Sequence, residues 1–390
     1  MRGDTCRRSL LCFFHEWVSC KPIFLTHAFW SCGTNVYHFH STHKKVYRTQ
    51  ILFPIPRIGE QPYFIARDVA RRAIVLSVRG TMSVQDCITD SMYKPVLLNA
   101  NAIEMPHLSG PQLHCHAGVV TATNFILSDL DRHGILSTIF FGDTIKTHES
   151  ALSKSAPDHL EGSEDEHKNW TLVLCGHSLG AGIATVLALH LRKVFQNIRV
   201  WGIEPPGGLL SAELAAACRE WMVSITHGCD IITRLSGPCL LKLRRDLVDA
   251  LVRCKVNKFS LLTRMTCVPD SVEESDLLLE PGCEAHEATL LRRDFEQFHI
   301  KQINERPLMA APLYPPGRLL HLRRISPVNK EMSAASIRDT YEVRWISAQE
   351  LMFQGLLVNE TFFTDHFPDK VVAVLSELAQ VSNRFDRFIS

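Results

Sequence analysis

The sequence predicts an α/β fold with a mostly parallel central sheet covered by helices. Three observations predict it. Strand-like and helix-like segments alternate between residues 171 and 226, as a parallel sheet with crossover helices requires. Gly176-His177-Ser178-Leu179-Gly180 stands between one of those strands and the helix after it. Strand character returns at 319–323 and 341–346, and a closing helix is expected over 369–378, with Pro368 just before it.

Residues 1–60 are rich in Cys, His and aromatic side chains without a period and receive no structure; a catalytic domain is expected over 61–385. Residues 63–66 and 73–78 are β-rich runs joined by the charged stretch 67–72, which reads as a tight strand pair ending in Arg79-Gly80-Thr81. Ser83 and Asp86 have capping-box spacing, and Val119, Val120, Phe125, Ile126 and Leu130 recur at helical spacing before Gly134. The apolar stretch 92–105 between them suits either a mobile lid or a core-packing loop. Residues 146–168 are polar and read as a surface insertion. Next come a strand over 171–175, a helix over 181–194, a strand over 198–203, a helix over 212–222 and a strand over 223–226. Residues 240–254 have helical character. An insertion at about 255–312 is expected between the strands that carry Asp230 and His366, with an acidic loop at 273–284 and an amphipathic helix at 288–300.

Composition narrows the function classes. The chain has 390 residues, 46% of them hydrophobic, enough for one large α/β domain or two ordinary ones. Its 42 Lys and Arg nearly balance 41 Asp and Glu, so no charge-driven attraction to nucleic acid or anionic membrane is implied. The 13 cysteines are odd in number, scattered and without a C-x-x-C pair, which points to a reducing, cytosolic setting rather than a disulfide framework or zinc ribbon. The apolar run 10–14 is interrupted by His15, Glu16 and Lys21, too soon for a signal or a spanning segment.

The serine motif carries the chemistry. G-x-S-x-G between a strand and a helix is the nucleophile elbow of the α/β-hydrolase fold, a turn that lifts the serine into a strained, exposed conformation. A serine hydroxyl needs a base to take its proton and a third group to orient that base. In this fold the partners follow in the order Asp or Glu, then His. Asp230 lies on the loop after the strand at 223–226, and His366 lies between the last strand and the closing helix. His321, within a strand, and His299, within the insertion, are weaker rivals, and Asp365 is too near His366 in sequence to orient its ring. Backbone N–H groups of Leu179 and Thr81 are expected to form the oxyanion hole. No cofactor or metal is needed for this chemistry. Two further patterns, His38-x-His40-x-x-His43 and His114-x-His116, lack a recognised set of partner ligands.

The segments IVLSVRGT (74–81), LVLCGHSLGAG (172–182), PPGGLLS (205–211), DIITRLS (230–236) and YPPGR (314–318), with His366-Phe367-Pro368, carry a resemblance. Through them the chain resembles the sn-1-specific diacylglycerol lipases, a branch of the class 3, fungal-type lipases. That resemblance implies the α/β-hydrolase fold, with Ser178 as nucleophile, Asp230 as acid and His366 as base. It further implies diacylglycerol in a membrane or lipid surface as substrate, cleaved to a 2-monoacylglycerol, such as 2-arachidonoylglycerol, and a free fatty acid. A regulatory loop inserted in the catalytic domain has its counterpart in 255–312 or in 146–168. Members of that family begin with four transmembrane helices, and no segment here is long and apolar enough for one, so peripheral attachment on the cytoplasmic side is expected. Triacylglycerol lipase, phospholipase A1 or a catalytically silent lipid-binding protein are the alternative readings.

Overall fold

Ten strands and nine α-helices are assigned among the described residues of the computed structural model, namely 44–49, 59–81, 94–99, 103, 113–141, 167–257, 274–284, 286–305, 312–325 and 341–386. Residues 1–43, with the histidines at 38, 40 and 43, lie outside them, as do Ser83, Asp86, most of 92–105 and residues 146–166. The strands are β1 (Lys44–Thr49), β2 (Tyr63–Asp68), β3 (Ala73–Val78), β4 (Pro95–Leu97), β5 (His114–His116), β6 (Thr171–His177), β7 (Ile198–Ile203), β8 (Met222–His227), β9 (Arg318–Arg324) and β10 (Tyr341–Ile346). The helices are α1 (Ala117–Arg132), α2 (Ile135–Phe141), α3 (Leu179–Leu191), α4 (Ala212–Ala217), α5 (Gly237–Arg253), α6 (Glu274–Leu277), α7 (His286–Glu305), α8 (Ala348–Gln354) and α9 (Pro368–Asp386).

Eight strands form one sheet in the order β1-β2-β3-β6-β7-β8-β9-β10. From β3 to β9 every neighbouring pair is parallel, and the pairs β1–β2, β2–β3 and β9–β10 are antiparallel. The parallel strands are buried on both faces, which is why β3 reads AIVLSV and all six of its residues are buried. The period of two sends Ile74, Leu76, Leu172, Leu174, Ile198 and Val200 to one face, into a core shared with α1 and α3. It sends Val75, Cys175, Trp201, Ile203 and Ile225 to the other, against Val371, Val372, Val374 and Leu375 of α9. Helix α3 is apolar on every side because it is buried from Leu179 to Leu189. A mostly parallel sheet with helices on both faces and a strand–serine–helix turn at its centre is the α/β-hydrolase fold.

One expected boundary moves. The helix expected over 212–222 ends at Ala217, passes through a 3-10 turn (Cys218–Glu220), and gives way to β8 at Met222. Cys218, Trp221 and Met222 are all buried, and Met222 pairs with Val200, so sheet pairing and burial override the local helical propensity.

The chain divides into two compact units, Met1–Arg234 with Leu313–Ser390, and Leu235–Pro312. The second takes in α5 as well as the span 255–312 anticipated as an insertion. Within it Ser236 caps α5 by accepting from the Cys239 N–H. Arg244 lies over the rings of Phe295 and Phe298 of α7, and Arg292 bonds both Asp249 and Glu284. No helix among the described residues is long and apolar enough to cross a membrane.

Candidate active site

Ser178 occupies the turn between β6 and α3 with φ 55° and ψ −127°, a backbone conformation that a side chain makes costly. Tertiary contacts hold it there. The Ser178 N–H donates to the Ile203 carbonyl at 2.9 Å, while its own carbonyl accepts from Ala181 and Gly182. A Cβ at Gly180 would lie 2.4 Å from the Val78 carbonyl oxygen, so glycine is what lets α3 start against the end of β3.

His366 ends a 3-10 turn (Thr364–His366) just before α9. Its Nε2 is 2.9 Å from Ser178 Oγ, and its Nδ1 is 3.0 Å from Asp230 Oδ1. Because a carboxylate only accepts, Nδ1 carries the proton and Nε2 is free to accept the serine hydroxyl. Asp230 is fully buried. It accepts from the N–H groups of Ile232 and Thr233 and from the Thr233 hydroxyl. Burial pushes its carboxyl upward, but the His366 charge and hydrogen bonds from His366, Thr233 and Ile232 outweigh that and hold it below its usual range.

Two ionisable neighbours stand close behind this line. Glu204, at the end of β7, is fully buried and has φ 49°. Its Oε2 lies 3.3 Å from His177 Nε2 and 3.7 Å from His366 Nδ1. Burial, and then the charges of Asp230, Asp365 and Asp369, raise its carboxyl well above the usual range, which favours its protonated form. His177 donates from Nε2 to the His366 carbonyl at 2.8 Å. Burial and the nearby His366 lower His177 to about 3, which leaves it neutral. Neither residue was singled out from the sequence. The available signal was an ionisable side chain at the end of an apolar strand, directly before the rigid pair Pro205-Pro206.

A frame of hydrogen bonds joins the loops of Asp230 and His366. Asp365 accepts from the Cys229 N–H, the Thr361 hydroxyl and Arg324. It therefore points away from the His366 ring and pins the neighbouring loop. Gly228 has φ 51°, and a Cβ there would come within 2.2 Å of Asp365 Oδ2. His227 donates from Nδ1 to the Asp365 carbonyl, and Ile231 N–H donates to the Phe362 carbonyl. His321, the rival within β9, is buried and donates to the Gly228 carbonyl, and burial lowers it to about 4. It supports the loop and does not reach Ser178. The backbone of His299 lies in α7 of the second unit.

Leu179 is the first residue of α3, so its N–H has no acceptor within the helix. Thr81 follows the end of β3, where Gln61 bonds the carbonyls of Arg79 and Gly80. A Cβ at Gly80 would sit 2.7 Å from the His177 carbonyl, so this segment runs directly beside the residue before Ser178. His116 accepts from the Val119 N–H and caps α1. Among the described residues, His177, Glu204 and His366 form a group whose ligand atoms lie within 4.8 Å of one another.

Residues 75–239 match the family model described as Lipase (class 3), a span that holds Thr81, Ser178, Glu204 and Asp230. Over that span the chain is similar to the class 3 lipases. It is 26% identical to diacylglycerol lipase-alpha of Rattus norvegicus over 84% of this chain and 28% of that one. It is 28% identical to diacylglycerol lipase-beta of Mus musculus over 83% of this chain and 45% of that one. The chain thus spans less than half the length of these relatives. A lipase from Rhizopus microsporus var. chinensis superposes with a TM-score of 0.38 at 16% identity, over 57% of this chain and 68% of that one.

Proposed function

We propose that this class 3 lipase relative is a serine lipase that cleaves the sn-1 ester of diacylglycerol at a lipid surface, giving a 2-monoacylglycerol and a fatty acid. The observation that carries the reading is the unbroken line from Ser178 Oγ through His366 to buried Asp230, at 2.9 and 3.0 Å. Ser178 attacks the acyl carbon while His366 Nε2 takes its proton, and Asp230 steadies the imidazolium through Nδ1–H. The oxyanion meets the backbone N–H groups of Leu179 and Thr81. His366 then protonates the departing glycerol oxygen, and water, activated by the same imidazole, releases the acid.

Diacylglycerol is favoured by the relatives whose names specify it. A lipid surface is favoured by Phe363 and Phe367, which flank His366 in sequence and are 62% and 46% exposed. A fluorophosphonate probe should label the folded chain at Ser178. With diacylglycerol labelled at one position, fatty acid should come from sn-1. Preference for the sn-2 ester, triacylglycerol or phospholipid would replace diacylglycerol as the substrate. Folded protein that takes no label at Ser178 would point to a silent lipid-binding protein.

A further inference from the structure

Glu204 has no part in the mechanism above, yet its carboxyl is fully buried beside the proposed base. Its backbone holds φ 49°, a conformation that side chains adopt rarely and that here aims the residue inward from the end of β7. The Glu204 N–H donates to the Ile225 carbonyl at 2.8 Å, which locks that backbone against β8. Glu204 Oε1 has no hydrogen-bond partner among the described residues. A buried polar atom left so costs stability and calls for a reason.

The distances offer one. Asp230 Oδ1 is 3.0 Å and Glu204 Oε2 is 3.7 Å from the same atom, His366 Nδ1. We propose that Glu204 is a second acid of this site, a positioning residue that holds the His366 ring from the Asp230 side and takes over that hold when Asp230 is lost. This rests on reading Ser178, His366 and Asp230 as a triad. The groups facing Glu204 are the His177 ring from β6, the backbone N–H of His227 at the end of β8, Asp230 on the loop after it, and Asp365, His366 and Asp369 from the segment leading into α9. Three of them are carboxylates. Burial, and then the repulsion of these carboxylates while Asp230 is ionised, favour a proton on Glu204, and the imidazole bonds to Asp230. Removing Asp230 removes one negative neighbour. Glu204 then releases its proton to solvent, closes the extra distance by a side-chain rotation and accepts from Nδ1–H. The only bond that breaks is the Glu204 O–H, whose proton passes to solvent, and the imidazole keeps its tautomer throughout.

The test is a double-mutant cycle in the full chain: wild type, Glu204→Gln, Asp230→Ala and the double variant, each with thermal unfolding measured alongside turnover of a soluble short-chain ester. Glu204→Gln should cost roughly threefold in the wild-type background and at least about tenfold more than that once Asp230 is alanine. Equal costs in both backgrounds overturn the proposal. Asp230→Asn, which keeps the volume and an acceptor for Thr233, serves in place of alanine where that variant does not fold. A second readout needs no turnover. In NMR spectra of isotope-labelled histidine, the Nδ1–H signal of His366, identified by its loss in His366→Gln, should persist in Asp230→Ala and vanish in the double variant. Its loss in Asp230→Ala alone overturns the proposal whether or not the chain hydrolyses esters. A wild type without turnover, but with Nδ1–H retained in Asp230→Ala, would remove the triad reading and leave the Glu204 hold on His366 standing.

Discussion

Around Ser178 the backbone and the neighbouring acids perform separate tasks. The elbow fixes where Oγ sits, while Asp230 bonds the ring that Oγ faces and Glu204 lies beside it. Ser178→Ala removes one oxygen and leaves the turn glycines intact, so turnover should fall by at least about a thousandfold while the thermal midpoint moves little. Glu204 makes a pH-dependent contribution whose sign follows from its raised carboxyl. The folded state keeps the proton while the unfolded chain loses it above about pH 4.3, so wild type pays an increasing stability penalty as pH rises. The thermal midpoint of Glu204→Gln relative to wild type should therefore be more favourable at pH 8 than at pH 4.5; a difference that is constant with pH would contradict this. Ser178, Asp230 and His366 were legible because their positions relative to strands follow from the fold. Glu204 and His177 were not. Whether an ionisable side chain at a strand end faces solvent or the site depends on φ at that residue and on the neighbouring loops, which no local pattern encodes.

At the scale of elements, the close approach of β3, β6 and α3 makes the elbow intolerant in a graded way. A Cβ at Gly180 would meet backbone carbonyls at 2.4 and 2.7 Å, whereas one at Gly182 meets only side chains, at 3.3 Å and beyond. Gly180→Ala should cost about 3 kcal/mol or prevent folding, and Gly182→Ala about 1 kcal/mol or less, as read by denaturant unfolding. The turn before α9 gives a different expectation. If Phe363 and Phe367 meet lipid, replacing both with Ser should lower turnover on vesicles about tenfold and leave a soluble ester unaffected within roughly twofold. The strands of the parallel core were legible from their apolar runs. Short elements such as β5, α2 and α8 were not, because three to seven residues are too few for a period to show and these segments are stabilised by tertiary contacts. Met222 shows the same limit, since its strand identity comes from pairing with Val200.

Among the described residues, His177, His227 and His321 have their protonated forms disfavoured by the fold, and this shapes the response to acid. Burial lowers His177 to about 3 and His321 to about 4, and lowers His227 as well. The unfolded chain protonates all three below about pH 6.5, so between pH 7 and 5 the unfolded state binds more protons and stability falls as pH falls. Glu204 works in the opposite sense over this range, one group against three. The thermal midpoint should drop steadily from pH 7 to 5, and a flat profile would show that these rings are not neutral when folded. The parallel sheet and the order of Ser178, Asp230 and His366 along it could be read from the sequence, because strand–helix alternation is a long-range pattern with local marks. The division at Leu235 could not, since Ser236, Gly237 and Pro238 mark the start of a helix but not that α5 belongs to a second unit. The chemistry of Ser178 on this scaffold is tested by fatty-acid release from sn-1-labelled diacylglycerol vesicles by wild type and Ser178→Ala. Release by the wild type that the folded variant abolishes is the expected result, and equal release by both, or none by a folded wild type, would contradict it.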